Sequence, residues 1–173
     1  MKKIIAVTLV TAVCAFSFFA MAAEEKKSST HETDAKAHAT AEHKLLPPSE
    51  MQWVDGPPAL PAGAKIAHIQ GDPKQAGPFT FRLKVPDGFK VPPHTHPSAE
   101  HVTVISGSLN LGMGDKFDQT ATRELAPGGF AVMPAGMQHF AWMKGETVVQ
   151  VHGTGPFAIN YVNPADDPRN AKK

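Results

Sequence analysis

Between residues 79 and 85 the chain reads FTFRLKV, with Phe79, Phe81, Leu83 and Val85 alternating against Thr80, Arg82 and Lys84. A period of two sends alternate side chains to opposite faces of an extended chain, so this run predicts a strand with one buried face. Pro86-Asp87-Gly88 ends it with turn chemistry. The same texture continues downstream. Further short apolar runs lie at 102–107, 109–113, 130–133, 138–143, 147–152 and 157–162, each bounded by Gly or Pro. Outside the N-terminus no window shows a helical stripe, and sixteen prolines and fourteen glycines favour turns over long helices. Many short strands at regular spacing predict an all-β, antiparallel sandwich or closed barrel. No internal repeat is visible, so one barrel is expected, not two.

The rest of the chain sets the context. Its 173 residues, 42% hydrophobic and 19% charged, suit one globular domain with a sizeable core. The N-terminus has the form of an export signal: basic MKK, the apolar run IIAVTLVTAVCAFSFF, then Ala20-Met21-Ala22. The run is shorter than the ~20 residues of a spanning helix, so cleavage after Ala22 is expected, leaving no membrane anchor. A periplasmic or secreted location follows. The single cysteine, Cys14, leaves with the signal, so the mature chain has no disulfide and no thiolate ligand. Losing Lys2 and Lys3 lowers the basic residues from 17 to 15 against 16 acidic, a charge near −1. No basic stripe with interleaved aromatics is present, which argues against nucleic-acid binding. Residues 23–46, rich in Ala, Lys, Glu, Thr and Ser with no aromatic, cannot bury enough apolar surface to order themselves and are expected to be a flexible linker. His31, His38 and His43 lie there, as metal scavengers or, on the simpler reading, as solvated linker residues. The domain is expected over 47–173.

Within it, residues 94–101 read HTHPSAEH. His94, His96 and Glu100 share strand parity, whereas His101 has the opposite parity and is expected to face out. Pro134-Ala135-Gly136 forms a tight turn, after which His139 opens an antiparallel strand that can bring a third imidazole to the same point. A lone histidine is usually a hydrogen-bonded structural residue. Two imidazoles and a carboxylate converging form a donor set suited to a divalent first-row metal.

These residues carry two motifs. The first reads Gly88-FKVPP-His94-Thr-His96-PSA-Glu100-HVTVIS-Gly107, and the second Gly128-GFAVM-Pro134-Ala-Gly136-MQ-His139-FAW-Met143. Over roughly 65–162 the chain resembles the cupins, small β-barrels of jelly-roll topology. The first motif matches throughout. The second matches except at its last position, where Met143 replaces asparagine. The resemblance implies one metal among Mn, Fe, Ni, Co, Cu or Zn, held by His94, His96, Glu100 and His139. It implies no single reaction, because cupins include dioxygenases, decarboxylases, isomerases and plain binding proteins. Cupin barrels often pair through N-terminal strands, and 51–60 would serve a homodimer.

Parity places Val102, Val104, Ala141 and Met143 inward near the ligands, beside Phe79, Phe81, Leu83 and Val85. Arg82 and Lys84 should face out, so no strand offers an inward cation to clamp a dicarboxylate or phosphosugar, although a loop cation could reach in. His68, Gln138, Gln150, His152 and Tyr161 are the candidate polar lining. Two functional classes stay open. One is a metal-dependent dioxygenase of a small neutral or aromatic substrate, with Glu100 as both ligand and proton acceptor. The other is a non-catalytic exported cupin that binds or senses a small ligand or the metal.

Overall fold

The computed structural model describes residues 43–171. The expected signal peptide, His31, His38 and the linker up to residue 42 lie outside the described residues. Among the described residues no helix is long and apolar enough to cross a membrane. Regular helix is confined to three single 3-10 turns, each opened by proline: Pro48–Glu50, Pro164–Asp166 and Pro168–Asn170.

Nine strands form one antiparallel sheet. They are β1 Val54–Asp55, β2 Lys65–Gln70, β3 Gly77–Val85, β4 Lys90–Thr95, β5 Glu100–Met113, β6 Thr122–Leu125, β7 Phe130–Met133, β8 His139–Gly155 and β9 Asn160–Tyr161. The long strand β8 organises the rest. Along one edge its C-terminal half pairs with β3 and its N-terminal half with β4. Along the other edge β5 pairs with it from Glu100↔Gly153 to Met113↔His139. Strands β1 and β2 extend the sheet beyond β3, β9 extends it beyond β4, and β6 and β7 cover the two ends of β5. The sheet curls so that buried side chains of β2, β3, β4, β5, β7 and β8 meet in one interior. This is the antiparallel barrel expected from the alternation, with the jelly-roll form that the resemblance implied.

The strand over 79–85 follows its sequence pattern closely. Phe79, Phe81, Leu83 and Val85 are buried, and Arg82 and Lys84 turn outward. Arg82 donates to the Gln150 Oε1, and the Lys84 ammonium sits over the Trp53 ring. Each fully buried Leu, Val or Phe contributes about 1.5–3 kcal/mol. The exposed Lys65–Asp55 pair on the outer edge is screened by water and contributes little. The apolar interior therefore holds the barrel.

Elsewhere the boundaries differ from the expectation. The runs at 102–107 and 109–113 are one strand, β5, and those at 138–143 and 147–152 are one strand, β8. Gly107 does not end a strand. It adopts a positive φ of 76° inside β5, where one residue of β5, Gly107 itself, faces three of β8, Gly145 to Thr147. A Cβ on Gly107 would collide with the Glu146 carbonyl and the Thr147 hydroxyl. The glycine thus marks a bulge that bends a continuous ladder, and in sequence a bulge and a turn look alike. The expected strand over 157–162 is reduced to Asn160–Tyr161, because the segment before it spends its backbone groups on the cavity wall described below. Met113, expected to continue the stripe of Leu109 and Leu111, is 54% exposed at the end of β5.

Candidate metal centre

His94, one residue before the end of β4, stands directly opposite His139, which opens β8. His96 lies just beyond β4, and its carbonyl accepts from the Gly136 N–H of the Pro134-Ala135-Gly136 turn. Glu100 opens β5. The sequence brings these four together by ending or beginning three strands at one place.

All three imidazoles are buried, at 4%, 5% and 2% exposure for His94, His96 and His139. Each has its Nδ1 against a backbone carbonyl: Pro92 at 2.7 Å for His94, Ala158 at 2.7 Å for His96 and Met137 at 3.0 Å for His139. A carbonyl only accepts, so each Nδ1 carries a proton and leaves its ring's Nε2 free for another partner. One nitrogen from each ring falls within 4.8 Å of the other two. The Glu100 Oε2 lies 3.3 Å from His139 Nε2 and 3.4 Å from His96 Nε2. His96 Nε2 is buried and makes no hydrogen bond. A buried polar nitrogen without a partner carries an energetic cost that a metal would remove.

The electrostatics agree. Burial, with the neighbouring His139 and His96, pushes the His94 imidazole down from 6.5 to about 3, so it stays neutral. Burial pushes the Glu100 carboxyl up, but contacts from His139 and His96 outweigh it and hold the group at about 2, so it stays ionised. A neutral imidazole at His94 and an ionised carboxylate at Glu100 are the protonation states in which these groups ligate. The three histidines can hold a metal ion, and the carbonyls behind them fix ring tautomer and orientation as outer partners of ligating histidines do.

Above the cluster lies a cavity of about 670 Å³, a size that suits a small organic ligand. Its walls are apolar, from Phe81, Leu83, Val102, Ala141, Met143 and Val151 among others. Val104, Phe79 and Val85 also point inward but fill the core away from the cavity. His101 is not in the cluster. It stacks on His152 with ring centroids 4.9 Å apart, on the far side of β5 and β8.

Of the candidate polar lining, only His68 reaches the cavity. Gln138 is exposed, Gln150 binds Arg82 outside, and Tyr161 donates to the Ala59 carbonyl. Burial first, then Asp167, pushes the Tyr161 phenol up to about 12, so it remains a donor. Two cations line the cavity from loops, Lys74 and Arg169. Arg169 is occupied by Asp167 through bonds of 2.8 and 2.7 Å. The strand pattern contained neither of these cations, nor the Ala158 carbonyl behind His96. A backbone acceptor leaves no trace in residue identity.

Residues 49–170 match the family model described as "Domain of unknown function (DUF4437)". Germin-like protein 9-3 of Oryza sativa subsp. japonica is 41% identical over 64 residues, covering 36% of this chain and 30% of that protein. The chain spans about a quarter to a half of the length of the first curated relatives it matches. Among solved structures, the polyketide cyclase RemF from Streptomyces resistomycificus superposes with a TM-score of 0.59 at 21% identity, over 74% of this chain and 91% of that one. An RmlC-like cupin from Ralstonia eutropha superposes with a TM-score of 0.55 at 17% identity, over 73% and 76%. At these identities the structures speak for the fold. With the family match over most of its length, the chain belongs to the DUF4437 family, and its barrel has the fold of the RmlC-like cupin.

Proposed function

We propose that this chain is an exported metal-dependent dioxygenase of small neutral or aromatic compounds, with one divalent transition metal held by His94, His96, Glu100 and His139. The observation that carries the reading is the convergence of three buried imidazoles and one carboxylate at the end of an apolar cavity. A metal held by these residues would supply Lewis-acid or redox chemistry at the end of the cavity. The protein supplies the remainder. The Pro92, Ala158 and Met137 carbonyls hold the rings in one tautomer. Glu100, ionised at neutral pH, serves as the anionic ligand and the acceptor for a substrate proton. The walls exclude water and favour a substrate with little charge, since no strand cation lines the cavity and the Arg169 fork is taken by Asp167.

The test is elemental analysis of protein purified from its own compartment, beside dioxygen uptake with a panel of small neutral and aromatic compounds. Iron, copper or manganese near one per chain, with uptake lost in His139→Ala, is expected. One zinc per chain without uptake would overturn the dioxygenase and favour a non-catalytic exported cupin that binds a small ligand or the metal. The observation behind that second reading is Met143, a thioether lining the cavity where the cupin motif has asparagine.

Export rests on the signal at 1–22 and the linker at 23–46. A chain beginning at residue 47 should keep the metal and the thermal midpoint. The one bond it loses among the described residues, from Lys44 Nζ to the Ile69 carbonyl, is exposed. Pairing of two copies through 51–60 is part of the same proposal. Sedimentation of a Val54→Lys variant tests it, since Val54 is exposed on the edge strand β1.

A further inference from the structure

The three imidazoles are oriented in two different ways. His94 and His139 each lean on the carbonyl two residues before them, Pro92 and Met137. Each is therefore set by its own strand end. His96 leans on Ala158, 62 residues away, and the Phe157 ring lies nearly parallel to it at 4.3 Å with an interplanar angle of 18°. His96 is also the one ligand that sits past the end of its strand. Its orientation is thus borrowed from the segment that follows β8.

That segment has little regular structure, so its own placement needs an account. The Phe157 N–H donates to the Pro73 carbonyl at 2.7 Å and the Val162 N–H to the Pro93 carbonyl at 2.9 Å. Between them, the Ile159 carbonyl accepts from Arg169 Nη2 at 3.2 Å. Arg169 is itself held by a two-pronged pair with Asp167, whose side chain also caps the 3-10 turn by accepting from the Arg169 N–H. The chain runs from the metal cluster outward as His96, Ala158, Ile159, Arg169 and Asp167.

We propose that Arg169 and Asp167 are positioning residues for the metal centre: they pin the 157–159 segment, and through it fix the tautomer and angle of the His96 ring. Isolated exposed ion pairs contribute little to stability. Outer partners of a ligating histidine affect metal affinity about 10- to 100-fold. The role is therefore visible in ligand geometry and metal affinity rather than in global stability. It rests on the metal site proposed above.

Two measurements on the full-length mature protein separate the inferences. The first uses metal-free, ¹⁵N-labelled protein and reads imidazole tautomers by long-range ¹H–¹⁵N correlation. Wild type should show His96 with its proton on Nδ1. R169A should move His96 toward a mixture of tautomers while His94 and His139 keep theirs, and D167N should do the same. The second is chelator competition for cobalt(II), in which both variants should bind about tenfold more weakly than wild type, with the thermal midpoint of the metal-free protein little changed. An unchanged His96 tautomer in both variants would overturn the positioning role. So would wild-type cobalt affinity in both. Failure of wild type itself to bind cobalt would overturn the metal reading, and the tautomer measurement would still decide the role of the pin.

Discussion

His94 and His139 face each other across the β4–β8 ladder with ring centroids 4.2 Å apart, each with its Nδ1 bound to the carbonyl two residues earlier. The pair is a small symmetric unit built from two strand ends, and it makes the site rigid before any metal arrives. The imidazole of His96 and the carboxylate of Glu100 are added to it from a loop and from the start of β5.

Alanine at His94, His96, Glu100 or His139 removes one donor from a converging set. Each variant should lose bound metal, with affinity falling more than about tenfold. His101→Ala should retain it, because that ring stacks on His152 away from the cluster. Metal content of the five purified variants decides the matter, and full occupancy in His94→Ala would sink the assignment.

The metal-free protein should lose stability in acid in two overlapping windows. His94 ordinarily titrates at 6.5 but is held at about 3 when folded. Between those values the unfolded chain binds the extra proton, so stability falls as pH drops from about 6.5 to about 3. Glu100 ordinarily titrates at 4.5 and is held at about 2, so its contribution is present above 4.5 and is lost as pH falls toward 2. Urea midpoints from pH 7 to pH 3 should decline steadily, and less steeply in His94→Phe. A flat profile between pH 7 and pH 4 would contradict the buried neutral imidazole.

Met143 is 2% exposed and lines the cavity. A thioether fills irregular apolar space and needs no partner. Met143→Asn places an amide there without one, at a cost of about 1–3 kcal/mol. The denaturant midpoint should fall while bound metal is retained. An unchanged midpoint would show that the cavity supplies the amide with partners or water.

Gly107 carries the bend of β5. Gly107→Ala combines a positive φ with collisions against the Glu146 carbonyl and the Thr147 hydroxyl. Backbone strain of this kind costs on the order of 1–3 kcal/mol before any clash is relieved. Thermal unfolding should show a clear drop, and a variant as stable as wild type would mean that the bulge relaxes freely.

The barrel and four convergent side chains were legible because both depend on parity. Phe79, Phe81, Leu83 and Val85 alternate without interruption, and His94, His96 and Glu100 keep the same phase across Pro97. What was not legible depends on backbone groups and on bends. Gly107 reads as a strand end, yet it sits inside a ladder. The strands β2 and β6 have weak alternation and take their place by pairing with β3 and β5. Ala158 acts through its carbonyl, and Arg169 reaches the cavity from a turn near the C-terminus.

The Gly107–Gly145 bulge has a consequence for how the protein reaches its native state. Glu100 and His139 lie at opposite ends of the β5–β8 ladder, paired with Gly153 and Met113. Their carboxylate and imidazole nevertheless sit 3.3 Å apart. The ladder must first form along its length and then fold back on itself for that contact to exist. Distant pairings of this kind form slowly because chain entropy is lost before the contact rewards it. The Glu100–His139 contact is thus a clasp closed late in folding. In a refolding experiment, cobalt-binding competence should lag behind the far-ultraviolet signal of strand formation.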